Sequence, residues 1–256
     1  MAAAGYGKST ALEADGPVSY YSAADLVGSP PDVTTGCLAI DDLDRLASRD
    51  QVRLLRALSG PARILLAGRR PLGAAATAAL PSPCAERGPR DLALAPEAVA
   101  RVLRDEHGSA DPELAYRVYD LTAGWPALVH LAGDALGRLG AGRHDLLAAL
   151  TEPGTAGAAW IREHALAGLP SYAAKLLELT DQLDPITTPL CAALSTEDPQ
   201  TTADAVWWLA RTGILVPHRR QPYGRPDAAL RLVPLLAAVL ASQRRPARRR
   251  AGCDRL

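Results

Sequence analysis

Apolar positions in this chain change their spacing twice, and the changes divide it into three stretches. In the first, Cys37-Leu38-Ala39-Ile40 and Ile64-Leu65-Leu66-Ala67 are unbroken apolar runs that end in charge, at Asp41-Asp42 and at Arg69-Arg70. Short runs of this kind predict strands buried on both faces, as in a parallel sheet covered by helices. Val18-Ser19-Tyr20-Tyr21-Ser22 has strand composition, and Asp91-Leu92-Ala93-Leu94 reads as a last strand. Between them lie a short helix from Ser9 to Glu13, broken by Asp15-Gly16-Pro17, and a helix from about residue 48 to 59. Loops are expected at Gly28-Ser29-Pro30-Pro31 and over 71–90, which is rich in Ala, Pro and Gly. Strand and helix in alternation predict an α/β fold with a parallel sheet over residues 1–95.

From Pro96 the spacing becomes helical. Pro96-Glu97 and Asp111-Pro112 each open a helix, running to His107 and to Ala123, and Gly124-Trp125-Pro126 interrupts before a third. In that third helix Leu128, Leu131, Ala132, Ala135 and Leu139 share one face, so residues 96–150 read as a helical bundle. After Glu152-Pro153-Gly154-Thr155, helices are expected at about 158–168, 171–183, 188–194 and 200–212. Gly213-Ile214-Leu215-Val216-Pro217 and Ala229-Leu230-Arg231-Leu232-Val233 read as strands, and Pro234 starts one more helix. Helices followed by a two-stranded hairpin describe a winged helix over 151–242. Its recognition-helix position, Thr201 to Arg211, offers one Asp and one Arg and is expected to spend Trp207 and Trp208 on packing, which is poor material for reading base edges. Arg219, Arg220 and Arg225 in the wing could touch phosphates, or form a solvated loop.

Composition sharpens this picture in two places. The formal net charge is zero, from 28 basic and 28 acidic residues, but six of the arginines lie beyond Ser242 against Asp254 alone. A mildly acidic body therefore carries a basic segment, 243–256, which reads as a disordered tail. Only Lys8 and Lys175 are lysines in a chain that otherwise uses arginine. Cys37, Cys84, Cys191 and Cys253 stand far apart and suggest neither a zinc site nor a disulfide framework. With no apolar run of membrane-spanning length, the chain is expected to be cytoplasmic and without membrane partners.

Lys8 sits in the phrase Ala4-Gly5-Tyr6-Gly7-Lys8-Ser9-Thr10. Gly-Lys-Ser is the working end of a phosphate-binding loop: glycines let backbone N–H groups turn toward phosphate, the lysine reaches the outer phosphates, and the serine hydroxyl binds Mg²⁺. The first glycine of the full motif would fall at position 2, which is Ala, so a plain helix-start turn is the competing reading. Asp41-Asp42 at a buried strand's end fits the second signature of such proteins, the first acid holding Mg²⁺ and the second serving hydrolysis, or else an Asp cap before a helix. Arg69, at the same edge, could sense a γ-phosphate; Arg70 reads as a solvated turn residue.

In their order these pieces resemble the ATPase module of STAND-class (AAA+-like) signalling proteins, and most closely that of the large LuxR-type, maltose-regulator-like bacterial transcription activators. The segments carrying the likeness are Ala4–Thr10, Leu38–Asp42, Leu66–Pro71 and Gly124-Trp125-Pro126 with Leu131-Ala132, followed by the winged-helix pattern. The resemblance implies a P-loop α/β core, a helical bundle and a winged helix. It implies ATP or ADP with Mg²⁺ as cofactors, a nucleotide-dependent switch with slow or no hydrolysis, and possible self-association in the ATP state. By matching position, Gly5, Gly7, Lys8, Ser9 and Thr10 would bind phosphate and Pro126 would line the base or ribose. Ser9 and Asp41 would hold the metal, and Asp42 and Arg69 would serve hydrolysis. The family's first strand, its sensor repeats and its C-terminal helix-turn-helix are absent from residues 1–256, and Val233 stands where a phosphate-touching His is usual. DNA is therefore expected as an indirect partner, or one reached through a region beyond this chain. The alternative is a degenerate, non-enzymatic interaction or DNA-associated fragment with a vestigial loop. A hydrolase with a side-chain nucleophile has little support: His107, His130, His144, His164 and His218 lie on helices or loops without a nucleophile motif nearby.

Overall fold

At the centre of the first unit lies β2, Cys37–Asp41, whose Leu38, Ala39 and Ile40 are fully buried. The computed structural model describes residues 2–13, 18–27, 37–58, 63–70, 72–80, 84–139, 146–218 and 229–244. It divides into two compact units, one reaching Ala93 and including Arg211–Gly213, the other Leu94–Ala210 with the chain from Ile214.

Two strands flank β2 in parallel, β1 (Val18–Ser22) and β3 (Arg63–Leu66), in the order β1-β2-β3. The register sets Tyr20 against Ala39, Ser22 against Asp41 and Ile40 against Leu66. Because side chains alternate along a strand, Leu38 and Ile40 leave one face and Ala39 the other. Leu38 and Ile40 pack with Ala23, Leu26, Leu43, Leu54, Leu55 and Leu58, of which Leu54 and Leu55 come from α2 (Ser48–Ala57). Ala39 packs with Ala67 and with Leu12 of the six-residue helix α1 (Lys8–Glu13). Cover on both faces accounts for the unbroken apolar runs.

One expected strand is replaced by a helical turn. Asp91-Leu92-Ala93-Leu94 does not join the sheet; residues Pro89–Leu92 form a short helix, α4, after a similar turn, α3 (Ala74–Thr77). Pro89 presets φ at the first helical position, and Asp91 Oδ2 accepts the Gly88 backbone N–H at 2.8 Å, so capping outweighs the weak apolar alternation. Leu94 N instead donates to Gly124 O at 2.8 Å in the second unit.

The second unit opens with three helices, α5 (Pro96–His107), α6 (Pro112–Thr122) and α7 (Pro126–Leu139); the prolines at the starts of the first two are the expected ones, and in the third Pro126 of the interrupting Gly-Trp-Pro is itself the first helical residue. Asp111 caps α6 by accepting from Glu113 N and Leu114 N. Next come α8 (Leu146–Thr151) and α9 (Ala156–Trp160), the latter running into a π-helical turn over Ile161–Leu166. Beyond them are α10 (Ser171–Thr180), α11 (Thr188–Leu194) and α12 (Pro199–Thr212). An antiparallel pair, β4 (Leu215–Pro217) and β5 (Leu230–Leu232), precedes α13 (Pro234–Arg244). On α12 the buried apolar residues are Ala205, Val206 and Leu209, whereas Trp207 keeps 51% of its surface exposed; the expectation that both tryptophans are spent on packing is corrected, because the helix turns Trp207 off its buried stripe. Arg219, Arg220 and Arg225, and the whole 243–256 tail except Gln243 and Arg244, lie outside the described residues.

Candidate functional site

Residues 2–7 form a tight loop whose start is buried: Ala2, Ala3, Ala4 and Tyr6 are each at most 8% exposed. Gly5 and Gly7 have φ of 74° and 71°, the left-handed region that side chains with a Cβ rarely enter. A Cβ on Gly7 would meet nothing within 4 Å, so this glycine serves the backbone turn and leaves the space before it open. The loop is tied down from several directions. Ala3 N donates to Thr212 O at 3.0 Å, and the buried Tyr6 hydroxyl donates to Gly213 O, also at 3.0 Å. Lys8 folds back and its Nζ donates to Ala3 O at 2.7 Å.

Facing the loop is the end of β2. The Ser9 hydroxyl donates to Asp41 Oδ2 at 2.5 Å, the Tyr20 hydroxyl donates to the same oxygen at 2.7 Å, and Asp42 N donates to Asp41 Oδ1 at 2.7 Å. Asp42 takes a left-handed conformation, φ 55°, and its carboxylate pairs with Arg45 at 3.0 Å. The turn that follows is fixed by Gln51, whose amide donates to Leu43 O and Leu46 O. Asp44 Oδ1 accepts the Arg69 backbone N–H at 2.7 Å and ties the end of β3 to this turn, while the Arg69 residue itself is exposed.

The charges of this site are unequally compensated. Burial, and then repulsion from Arg69, lowers the Lys8 pKa to about 8, despite opposing attraction from Asp41, Asp44 and Asp42. Burial works against the charge on Asp41 too, but hydrogen bonds from Ser9, Tyr20 and Asp42 N, with Lys8 nearby, outweigh it and hold the carboxyl below its ordinary range. The Tyr20 hydroxyl is pushed up, by desolvation first and by its bond to Asp41 next.

Gly5, Gly7, Lys8, Ser9 and Asp41 are therefore brought together at the carboxyl edge of a parallel sheet, where open α/β folds place ligands. Thr10 is exposed on α1, and Asp42 is turned toward Arg45. Pro126 belongs to the second unit, where it opens α7; beside it Trp125 is fully buried and meets Trp160 edge-on, with ring centroids 6.4 Å apart. Gly124 is required there, since a Cβ would lie 2.2 Å from Leu94 O. Sequence reading missed Tyr20 and Asp44. Tyr20 could be found only from the β1–β2 register, and Asp44 only from the way the turn after β2 meets the end of β3.

The donor set suits a phosphorylated ligand with its cation. Lys8 is a half-buried ammonium near a second cation, an arrangement an anion would relieve, and the Ser9 hydroxyl with the Asp41 carboxylate is an all-oxygen pair of the kind Mg²⁺ takes. No family model and no curated protein sequence matches the chain. Among the described residues no helix is long and apolar enough to cross a membrane.

Proposed function

We propose that this chain is an ATP/ADP-binding regulatory module, a nucleotide-dependent switch of the STAND-class, LuxR-type kind with slow or no hydrolysis. The observation that carries the reading is the convergence of Lys8, held in a loop with two left-handed glycines, on the Ser9–Asp41 pair at the end of a buried parallel strand. In this reading the loop is a P-loop: its backbone amides and Lys8 would bind the phosphates, and Ser9 and Asp41 would hold Mg²⁺, which supplies charge neutralisation at the phosphates. Lys8 would leave Ala3 O to meet the anion, and Tyr20 keeps Asp41 ionised and aimed. Slow or absent hydrolysis is supported by Asp42, whose carboxylate is already engaged by Arg45. Arg69 stands close enough to depress the Lys8 pKa and would therefore add to the field on a phosphate. A winged-helix role for 151–242 is supported by the order of α10, α11, α12, β4, β5 and α13. Self-association and an indirect route to DNA complete the proposal.

Binding of a fluorescent ADP or ATP analogue with Mg²⁺ tests it. Affinity should fall at least about tenfold in Lys8→Met and in Asp41→Asn, as expected for charged contacts to phosphate and metal. Equal affinity in all three proteins would refute the reading and return the chain to the interaction-fragment alternative.

A further inference from the structure

Far along the chain from the glycine loop, the second unit brings together two histidines that no sequence spacing pairs. His107 ends α5 and His130 lies one turn into α7, and their rings approach at 57° with centroids 5.7 Å apart. His107 Nε2 and His130 Nδ1 are 3.5 Å apart, and Glu106 Oε2 is 3.5 Å from the same His130 nitrogen. All three ligand atoms lie within 4.8 Å of one another.

From these atoms we infer a binding site for a zinc-type divalent transition ion, with Glu106, His107 and His130 as ligands. The spacing is the first argument. Separations of 3.5 Å are long for hydrogen bonds, whose N–H···O and N–H···N forms sit near 2.9 Å. They match the edge of a tetrahedron with metal–ligand bonds of about 2.1 Å, which is about 3.4 Å. A small inward motion of exposed Glu106 closes the set.

Support behind the ligands is the second argument. His107 Nδ1, the nitrogen turned away from His130, lies 3.5 Å from Asp134 Oδ1. At that separation the pair is not yet an ordinary hydrogen bond, but the exposed Asp134 carboxylate is placed to close on Nδ1–H when the ring binds an ion, where such an outer partner fixes the tautomer and raises the basicity of a metal-bound histidine. The ring is also seated: a Cβ on Gly133 would stand 2.3 Å from His107 Cδ2 and 2.6 Å from Nε2, so the glycine in mid-helix lets the imidazole lie against the α7 backbone. Glycine weakens a helix interior relative to Ala, and this close seating is the physical reason for Gly133 at that position. The His107 side chain is 12% exposed, whereas His130 and Glu106 are about half exposed, so the ion would be anchored on the buried side and reached from solvent.

Two imidazoles and one carboxylate select Zn²⁺, Co²⁺ or Ni²⁺ over Mg²⁺ or Ca²⁺, and three protein ligands leave a fourth position for water. The ion would clip the end of α5 to α7. This site is independent of the nucleotide reading, since its residues and its ion class both differ.

Co²⁺ titration of the metal-stripped full chain tests it, with the visible d–d absorption as readout. One equivalent should bind, with the intense bands of a four-coordinate N/O site, without near-ultraviolet thiolate charge transfer, and should be displaced by one equivalent of Zn²⁺. His130→Ala and Glu106→Gln, both at side chains about half exposed, should weaken binding at least about tenfold, and Lys8→Met should leave it unchanged. Zn²⁺ should raise Tm in the parent protein and not in His130→Ala, with equal Tm in chelator showing that the variant folds. Retention of the same spectrum in both variants, a six-coordinate spectrum only, or thiolate bands would overturn the assignment.

Discussion

At the scale of single residues the glycine loop trades stability for charge. Lys8 has its pKa lowered from 10.5 to about 8, a difference worth about 3 kcal/mol at 1.36 kcal/mol per unit. The sign follows from proton counts: between pH 8 and 10.5 the unfolded chain binds more protons at this lysine than the folded one, so this group makes stability rise with pH across that window. Lys8→Met removes the penalty and leaves Ala3 O without its bond, which returns about 1–2 kcal/mol. The expected outcome is a protein about 1 kcal/mol more stable at pH 7 that lacks the rise above pH 8, read by denaturant unfolding across pH. Nucleotide affinity in the parent should decline as pH rises past about 8, when Lys8 loses its charge, and a pH-flat affinity would count against phosphate binding at Lys8. Tyr20→Phe tests the other side of the site. It removes one donor to the Asp41 carboxylate and should cost about 1.5–2 kcal/mol at pH 7. Because the Asp41 pKa is lowered in the folded state, that stabilisation is present above its ordinary value near 3.8 and is lost as pH falls through the lower folded value. The gap between parent and variant should therefore narrow below about pH 4.

Elements matter here chiefly through their ends. α12 closes on Gly213, φ 84°, with Ile214 N donating to Leu209 O at 3.0 Å, the six-to-one bond of a Schellman cap. The same glycine receives the Tyr6 hydroxyl, and a Cβ there would stand 2.4 Å from that oxygen and 2.7 Å from Pro89 Cβ. Gly213→Ala adds a left-handed penalty to a collision, so a loss of about 2–3 kcal/mol is expected. Tyr6→Phe, which deletes only the hydroxyl, should cost about 1 kcal/mol. Thermal unfolding of the two variants checks the order; Tm values equal to the parent's would mean that the loop does not depend on this anchor.

For the molecule as a whole, hydrogen exchange with and without ADP and Mg²⁺ separates the site's parts. Slower exchange is expected over 2–13 and 37–45, where the loop and the end of β2 meet, and also near 124–130 if Pro126 lines the nucleotide as the family likeness implies. Protection confined to the first unit would remove Pro126 from the site and leave Gly124-Trp125-Pro126 with the packing roles of its buried Trp125 and its Leu94 contact. No change in either region would contradict nucleotide binding itself.

Much of the fold was legible because local chemistry was unambiguous. Unbroken apolar runs before Asp41 and Arg69 marked β2 and β3, and prolines marked the starts of α5 and α6. Asp91–Leu94 misled because a four-residue run carries little periodic signal and a capping turn consumed it. At the candidate site, the left-handed turns at Gly5 and Gly7 were legible in residue type, because a side chain with a Cβ rarely enters that region, and Lys8 and Asp41 stood out as the residue types that the proposed phosphate and Mg²⁺ contacts would need. Tertiary structure alone decided what those residues do to one another. The parallel register of β1 on β2 put the Tyr20 hydroxyl on Asp41, burial beside Arg69 lowered the Lys8 pKa, and the crossing of α5 and α7 over Gly133 set His107 against His130. The physical reason is common to all three: a sequence fixes which groups are present and how each short segment bends, whereas distance and desolvation between segments exist only once the chain has packed.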